Sequence, residues 1–261
     1  MRVLTIVLVI ITSNLAFAQH EVLQSVDSAF KAKNYRQVID ATQAYLQEHQ
    51  QLDSVQLQLL HLKSRAYRYI QEYDSSFYTF VNIFNKYPSD RLTLIHLGYV
   101  FGEAGNYYTA FYFLEKLRKY HPEDPVGTLN LSYYNNGLGM HEKAIAYADS
   151  TLQMTQDSLT IGAAWNNRCF ANIQLGNLIE AIKELKTSLS YYPLNSHAYK
   201  NLALIHIETQ NHEEACNALE MARMLGGVNI TRELRKEYCH NVVGEKESET
   251  KPTKTSKHSG E

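Results

Sequence analysis

The stretch from Arg91 to Asp124 reads RLTLIHLGYVFGEAGNYYTAFYFLEKLRKYHPED, and its small, apolar and chain-breaking residues are placed as two packed helices require. Leu94, Leu97 and Phe101, then Leu114 and Leu117, recur with the three-and-four rhythm of a single buried helix face. Gly105-Asn106 breaks the chain between the two runs, just before Tyr107, and Pro122 stops the second. Gly98 and Ala110 are small where the two helices would cross closely. From Gly162 to Asn195 the arrangement returns, with Trp165, Cys169, Leu175-Gly176-Asn177, Ala181, Leu185 and Pro193 at the same offsets. A unit of this length cannot bury its apolar face alone, so its neighbours must supply the rest of the core.

Both stretches resemble the tetratricopeptide repeat (TPR), a 34-residue helix-turn-helix unit. The same frame fits Pro125 to Ile161 through Leu131, Ser132, Gly139, Ala144 and Leu152, with a short insertion around Gln156-Asp157-Ser158 that is expected to lengthen a loop. It fits Leu57 to Asp90 through Leu60, Tyr67, Tyr73, Ser76 and Pro88, and Ser196 to Asn229 through Tyr199, Leu202, Ala203, Ala215 and Ala222. The first unit keeps Asn34-Tyr35 and Ile39 but carries Val38 and Tyr45 where small residues are usual, which would leave its outer face unfilled. The resemblance implies an all-α fold, a right-handed α-solenoid of about six units with a C-terminal capping helix. The units are placed at 19–56, 57–90, 91–124, 125–161, 162–195 and 196–229. Asn229 is expected to cap a helix over 230–243 whose Ile230, Leu234 and Tyr238 form one stripe, and 244–261 is too polar to order.

Composition agrees with helices: 12 Gly and 5 Pro in 261 residues are too few for a turn-rich sandwich or barrel. A net charge of -2 offers no basic field to a phosphate backbone, so nucleic acid is set aside as a partner. Arg2, the apolar run Val3 to Ile11 and the Ala16-Phe17-Ala18 site read as a signal peptide over 1–18, cleaved after Ala18. The apolar run is about half the roughly 20 residues that cross a bilayer, and no Cys follows the site to carry a lipid. The expected product is exported, periplasmic or secreted, with no stable membrane insertion.

In the family that the pattern resembles, the first helix of each unit lines a concave face. Ligands there meet the second, fifth, ninth and twelfth to thirteenth positions. That frame implies partner-binding residues at the ninth positions, Arg65, Tyr99, Tyr133, Phe170 and Leu204. Leu92, Ile95, Val126 and Leu129 would make the middle of the face apolar, and His61, Arg68, Asn166, Asn167, Lys200 and Asn201 would put polar groups at its ends. Such a face suits a protein or peptide partner presenting apolar side chains. The competing reading is that the same side chains pack neighbouring helices and meet no ligand. The family's Lys and Asn grip on a terminal carboxylate is not matched: Lys200 is the one Lys at a fifth position of the last five units, and no ninth position among them is Asn.

Chemistry beyond binding finds little support. Cys169 takes a helix-crossing position as a small hydrophobe, while Cys216 and Cys239 would form a disulfide after export or else pack as two thiols. The 11 histidines make no H-E-x-x-H or related spacing, and His206, Glu208, His212 and Glu213 are split by a turn at Asn211, so no metal is expected. There is no nucleophile elbow and no phosphate-binding Gly loop, hence no catalytic residue and no cofactor. The expectation is a non-enzymatic interaction scaffold, with self-association into a homo-oligomer as the alternative.

Overall fold

The computed structural model describes residues 19–49 and 54–239. The expected signal peptide at 1–18, the end of the capping segment from 240 and the tail at 244–261 lie outside the described residues. Every regular element among the described residues is a helix: α1 (19–31), α2 (Tyr35–Glu48), α3 (Ser54–Tyr69), α4 (Tyr73–Lys86), α5 (Arg91–Glu103), α6 (Tyr107–Tyr120), α7 (Pro125–Gly137), α8 (His141–Met154), α9 (Ser158–Gln174), α10 (Leu178–Tyr191), α11 (Ser196–Glu208), α12 (His212–Met224) and α13 (Val228–Tyr238). The chain divides after Pro122 into two compact units, the first holding α1 to α6 and the second α7 to α13. Within each, successive helices pack as pairs, α3 on α4 and α5 on α6 in the first, α7 on α8, α9 on α10 and α11 on α12 in the second. This is the all-α helical-repeat architecture that the sequence implies.

The repeat is punctuated by local chemistry. Each first helix from α5 onward opens on an Asp or Asn whose side chain accepts from a backbone N–H of the first turn: Asp90 from Thr93, Asp124 from Val126, Asp157 from Thr160 and Asn195 from His197, at 2.8 to 3.1 Å. Each satisfies one donor that the helix itself cannot. The turn inside every pair has one residue in the left-handed region. Gly105, Gly139 and Gly176 fill it without strain, but Lys33, Gln71 and Gln210 hold the same place with φ of 63°, 65° and 59°.

Small residues sit where the helices cross. Ala110, Ala144, Ala181 and Ala215 are fully buried, and a Cβ built on Gly98 would lie 2.8 Å from Leu114 Cδ2. Leu94, Leu97, Leu114 and Leu117 are likewise fully buried, each removing apolar surface worth roughly 2 kcal/mol.

Three expectations change. The first repeat has no unfilled face at its bulky residues, because Val38 and Tyr45 close over Val26, Ala29, Leu59 and Ala66 in a core of their own. The insertion before 162 does not make a longer loop. Asp157 accepts from both the backbone and the hydroxyl of Thr160, so α9 starts at Ser158 and runs 17 residues against 13 for α5, α7 and α11. Finally, α13 is entered from Gly227, not Asn229; the Asn229 side chain instead accepts from Arg232 one turn on. Leu234 and Tyr238 pack the helix onto Cys216, Ala218 and Leu219, and Cys216 is disulfide-bonded to Cys239 with their Cα atoms 5.7 Å apart.

Candidate functional site

In the first unit the implied residues lie on α3 and α5. Tyr99 stands 41% exposed on α5, with the Arg68 guanidinium 5.5 Å from its ring centroid. Arg65 folds back so that its guanidinium lies 4.6 Å from the Phe30 ring on α1. Ile95, also on α5, is half-buried. His61 is not the free donor that the sequence suggests. It is buried against Phe80, with Nε2 2.8 Å from Asp90 Oδ2 but off the axis of a well-aligned hydrogen bond.

Asp90 thus ties α3 to the start of α5. Burial works to raise its carboxyl, but the nearby His61 imidazole and Thr93 hydroxyl and the bond donated by the Thr93 backbone N–H outweigh this and hold it at about 2. One step away, His96 stacks on Phe80 at 4.6 Å, and burial, with help from Arg68, His61 and Arg65, pushes its imidazole down to about 4. A recess of about 460 Å³ opens between α1 and α3, with apolar walls from Leu23, Leu62 and Leu92 and polar ones including His61 and Arg65.

In the second unit the implied residues lie on α7, α9 and α11, and they separate into two kinds. Asn166, Asn167 and Asn201 are buried. Asn201 Nδ2 donates to the Asn166 backbone and side-chain oxygens, Asn167 Nδ2 to the Leu129 carbonyl, and Asn136 Nδ2 to the Asn167 carbonyl. An amide on an inner helix has the next helix's carbonyls within reach, and leaving it buried without a partner would cost about 1–3 kcal/mol. These side chains therefore lace three helices together; they are not open donors for a ligand.

Tyr133, by contrast, is 41% exposed and stands edge-on to His197, 5.9 Å between ring centroids. Together with Leu129, Asn130, Ala163 and Tyr192 these rings border a recess of about 240 Å³. Phe170 is half-buried, between His141 and the Lys200 ammonium 5.6 Å from its ring, and burial pulls the Lys200 pKa down. Leu204 packs into the cluster of Cys169, Leu185 and Ile205. Of the ninth positions in this unit, Tyr133 alone offers an open ring. His197 was missed by the sequence reading although it occupies the second position of its unit, one of the family's ligand positions.

Among the described residues no group of three or more His, Cys, Asp or Glu side chains is placed to hold a metal. No described helix is long and apolar enough to cross a membrane.

Neither the protein-family models nor the curated proteins give a match to this sequence. Solved structures do. A tetratricopeptide repeat protein from Parabacteroides merdae superposes with a TM-score of 0.67 at 13% identity, over 84% of this chain and 83% of its own. PilW, a widely conserved type IV pilus biogenesis factor, superposes at 0.63 with 15% identity, over 83% of this chain and 97% of its own. The thermophilic TPR protein TTC0263 of Thermus thermophilus gives 0.59 with 17% identity, over 71% and 98%. Identities this low establish a shared fold and nothing about ligands.

Proposed function

The chain has the tetratricopeptide-repeat fold, and from that premise we propose that it is a non-catalytic scaffold binding a peptide or protein segment along the inner faces of its first helices. The observation that carries this reading is Tyr133. A core aromatic would be covered, yet this ring is 41% open at the lip of a recess whose other walls, Leu129, Ala163 and Tyr192, can receive an apolar side chain. Tyr99 is open to the same extent in the first unit, with Arg68 against its ring.

Export to the periplasm or beyond belongs to the same proposal. The N-terminal signal pattern supports it, and so does the Cys216–Cys239 disulfide, a bond that persists in oxidising compartments. Self-association gains no support from the first repeat, since Val38 and Tyr45 are buried in its own core.

The test is affinity capture from envelope extract with the mature chain, beside Tyr99→Ala and Tyr133→Ala variants whose helicity and melting match wild type. A protein retained by wild type and lost from both variants is the expected result. Retention by both variants would remove the inner-face site, and a concentration-dependent rise in mass by light scattering would turn attention to self-association.

A further inference from the structure

The sequence of α6, YYTAFYFLEKLRKY, sets Tyr108, Tyr112, Lys116 and Tyr120 four residues apart, so that they share one helix face. That face is turned to solvent: Tyr108 is 82% exposed, Tyr112 53% and Tyr120 41%. Lys116 Nζ lies 5.0 Å from the Tyr112 centroid, 5.8 Å from Tyr120 and 6.0 Å from Phe84 on α4, which joins the two helices at the surface. Below, Phe84 meets Phe113 edge-on at 5.3 Å and Phe113 stacks on Phe101 at 5.7 Å. The exposed rings thus stand on a fixed aromatic floor, and a partner would pay little entropy to order them.

Charge identifies the partner's character. The two helices carry Lys86, Lys116, Arg118 and Lys119 against Asp74 and Glu115, a net +2 in a chain whose total is -2. Arg118 pairs with Glu115, whereas Lys116 and Lys119 have no carboxylate at ion-pair distance among the described residues. The recesses bordered by Tyr133 and by His61 take none of their walls from this face, and a row of exposed rings along a helix suits a protein more than a small molecule. Tyrosines are enriched at interface hot spots, and the two lysines add the charge that can steer an acidic partner.

We propose that the solvent face of α6, with the adjoining edge of α4, is a second docking surface, and that its occupant is an acidic segment of another protein carrying apolar side chains. Carboxylates of that segment meet Lys116 and Lys119, and its apolar groups lie on Tyr108 and Tyr112. This surface belongs to the second helices of the repeats and is independent of the inner-face reading.

The test uses the mature chain and fluorescence anisotropy with labelled amphipathic peptides of alternating Glu and Leu or Phe, their Glu→Gln counterparts, and vesicles of phosphatidylglycerol. The acidic peptides are expected to bind about tenfold tighter than the Gln versions, and more weakly as salt is raised. Lys116→Glu/Lys119→Glu and Tyr108→Ala/Tyr112→Ala should each weaken that binding by about tenfold or more. Tyr108, Tyr112 and Lys119 are exposed and Lys116 is half-buried, and a matching thermal melt verifies each fold. Tyr133→Ala should leave it unchanged, which separates this surface from the inner face. No binding of the acidic peptides, equal binding by the variants, or binding of vesicles without the peptides would each overturn the proposal, the last in favour of a lipid surface.

Discussion

Arg168 Nε on α9 lies 2.8 Å from the Glu184 carboxylate on α10, a side chain only 1% exposed. The guanidinium continues to Asp149 on α8, and Asn172 donates a further bond to Glu184, so Arg168 and the buried carboxylate together link three helices. Burial still outweighs these partners and raises the Glu184 pKa.

Removing that carboxylate takes the acceptor from Asn172 Nδ2 and leaves Arg168 with Asp149 alone. Glu184→Ala should therefore cost about 3 kcal/mol of unfolding free energy, whereas Glu184→Gln, which keeps the shape and sheds the buried charge, should cost about 1 kcal/mol. Urea titrations of the two variants followed by circular dichroism measure this. Equal losses would mean that the charge, and not the shape of the side chain, carries the whole contribution.

Acid should weaken the first unit before ordinary carboxylates titrate. The folded His96 value of about 4 lies below its usual 6.5, so the unfolded chain takes up the proton first as pH falls. The stability associated with neutral His96 is fully present above pH 6.5 and is lost towards pH 4, by about 3 kcal/mol. Asp90, held at about 2 from 3.8, adds a second loss from pH 3.8 down to 2. Urea midpoints between pH 7 and 4 should slope in wild type and flatten in His96→Gln; an unchanged slope would assign the effect to other groups.

The turns offer a gain. Gln71 and Gln210 occupy left-handed positions that glycine fills in three sister repeats. Gln71→Gly and Gln210→Gly should each raise stability, by up to about 1 kcal/mol, since a Cβ at positive φ costs more than the extra freedom of the unfolded glycine. Thermal melts of the single and double variants check this, with additivity expected because the two sites lie in different compact units.

The Cys216–Cys239 bond closes a segment with a sequence separation of 23 and clips α13 to α12. Cys216→Ala/Cys239→Ala should lose about 3 kcal/mol, chiefly by freeing the unfolded chain. Cys169 should stay unmodified by alkylating reagent in the folded protein, since burial pushes its thiol up to about 12 and leaves it without exposed surface. Mass spectrometry after mild alkylation distinguishes a closed bond from two reactive thiols.

The repeat was readable because its signals are single residues with one mechanical use. A side chain on Gly98 would press on Leu114, and Pro122 cannot continue the helix that comes before it. The inner face was less readable because an asparagine at a ligand position looks the same whether it points to a partner or to the next helix. Asn201 finds Asn166 one repeat away, and nothing within α11 announces that bond. Tyr133 and Phe170 pose the same difficulty, sharing a frame position while only the first is left open, because Lys200 and His141 approach the second. The entry to α13 was misplaced for a related reason: Asn229 is a good cap by type, but Thr231 donates its hydroxyl to the Gly227 carbonyl and draws the helix start upstream.

The lengthened α9 shows how such a chain can drift in size. Its beginning is fixed by Asp157 and its end by the turn at Gly176, while Cys169 keeps its crossing with Ala181 of α10. The added residues amount to about one full revolution of the helix, which returns the side chains that follow to the same azimuth. Insertions in whole turns ahead of a crossing point are therefore silent to the packing, whereas a gain of two residues would swing the crossing residues towards solvent. A family built this way can tolerate length changes in quanta, and its members can diverge in span while their seams stay in phase.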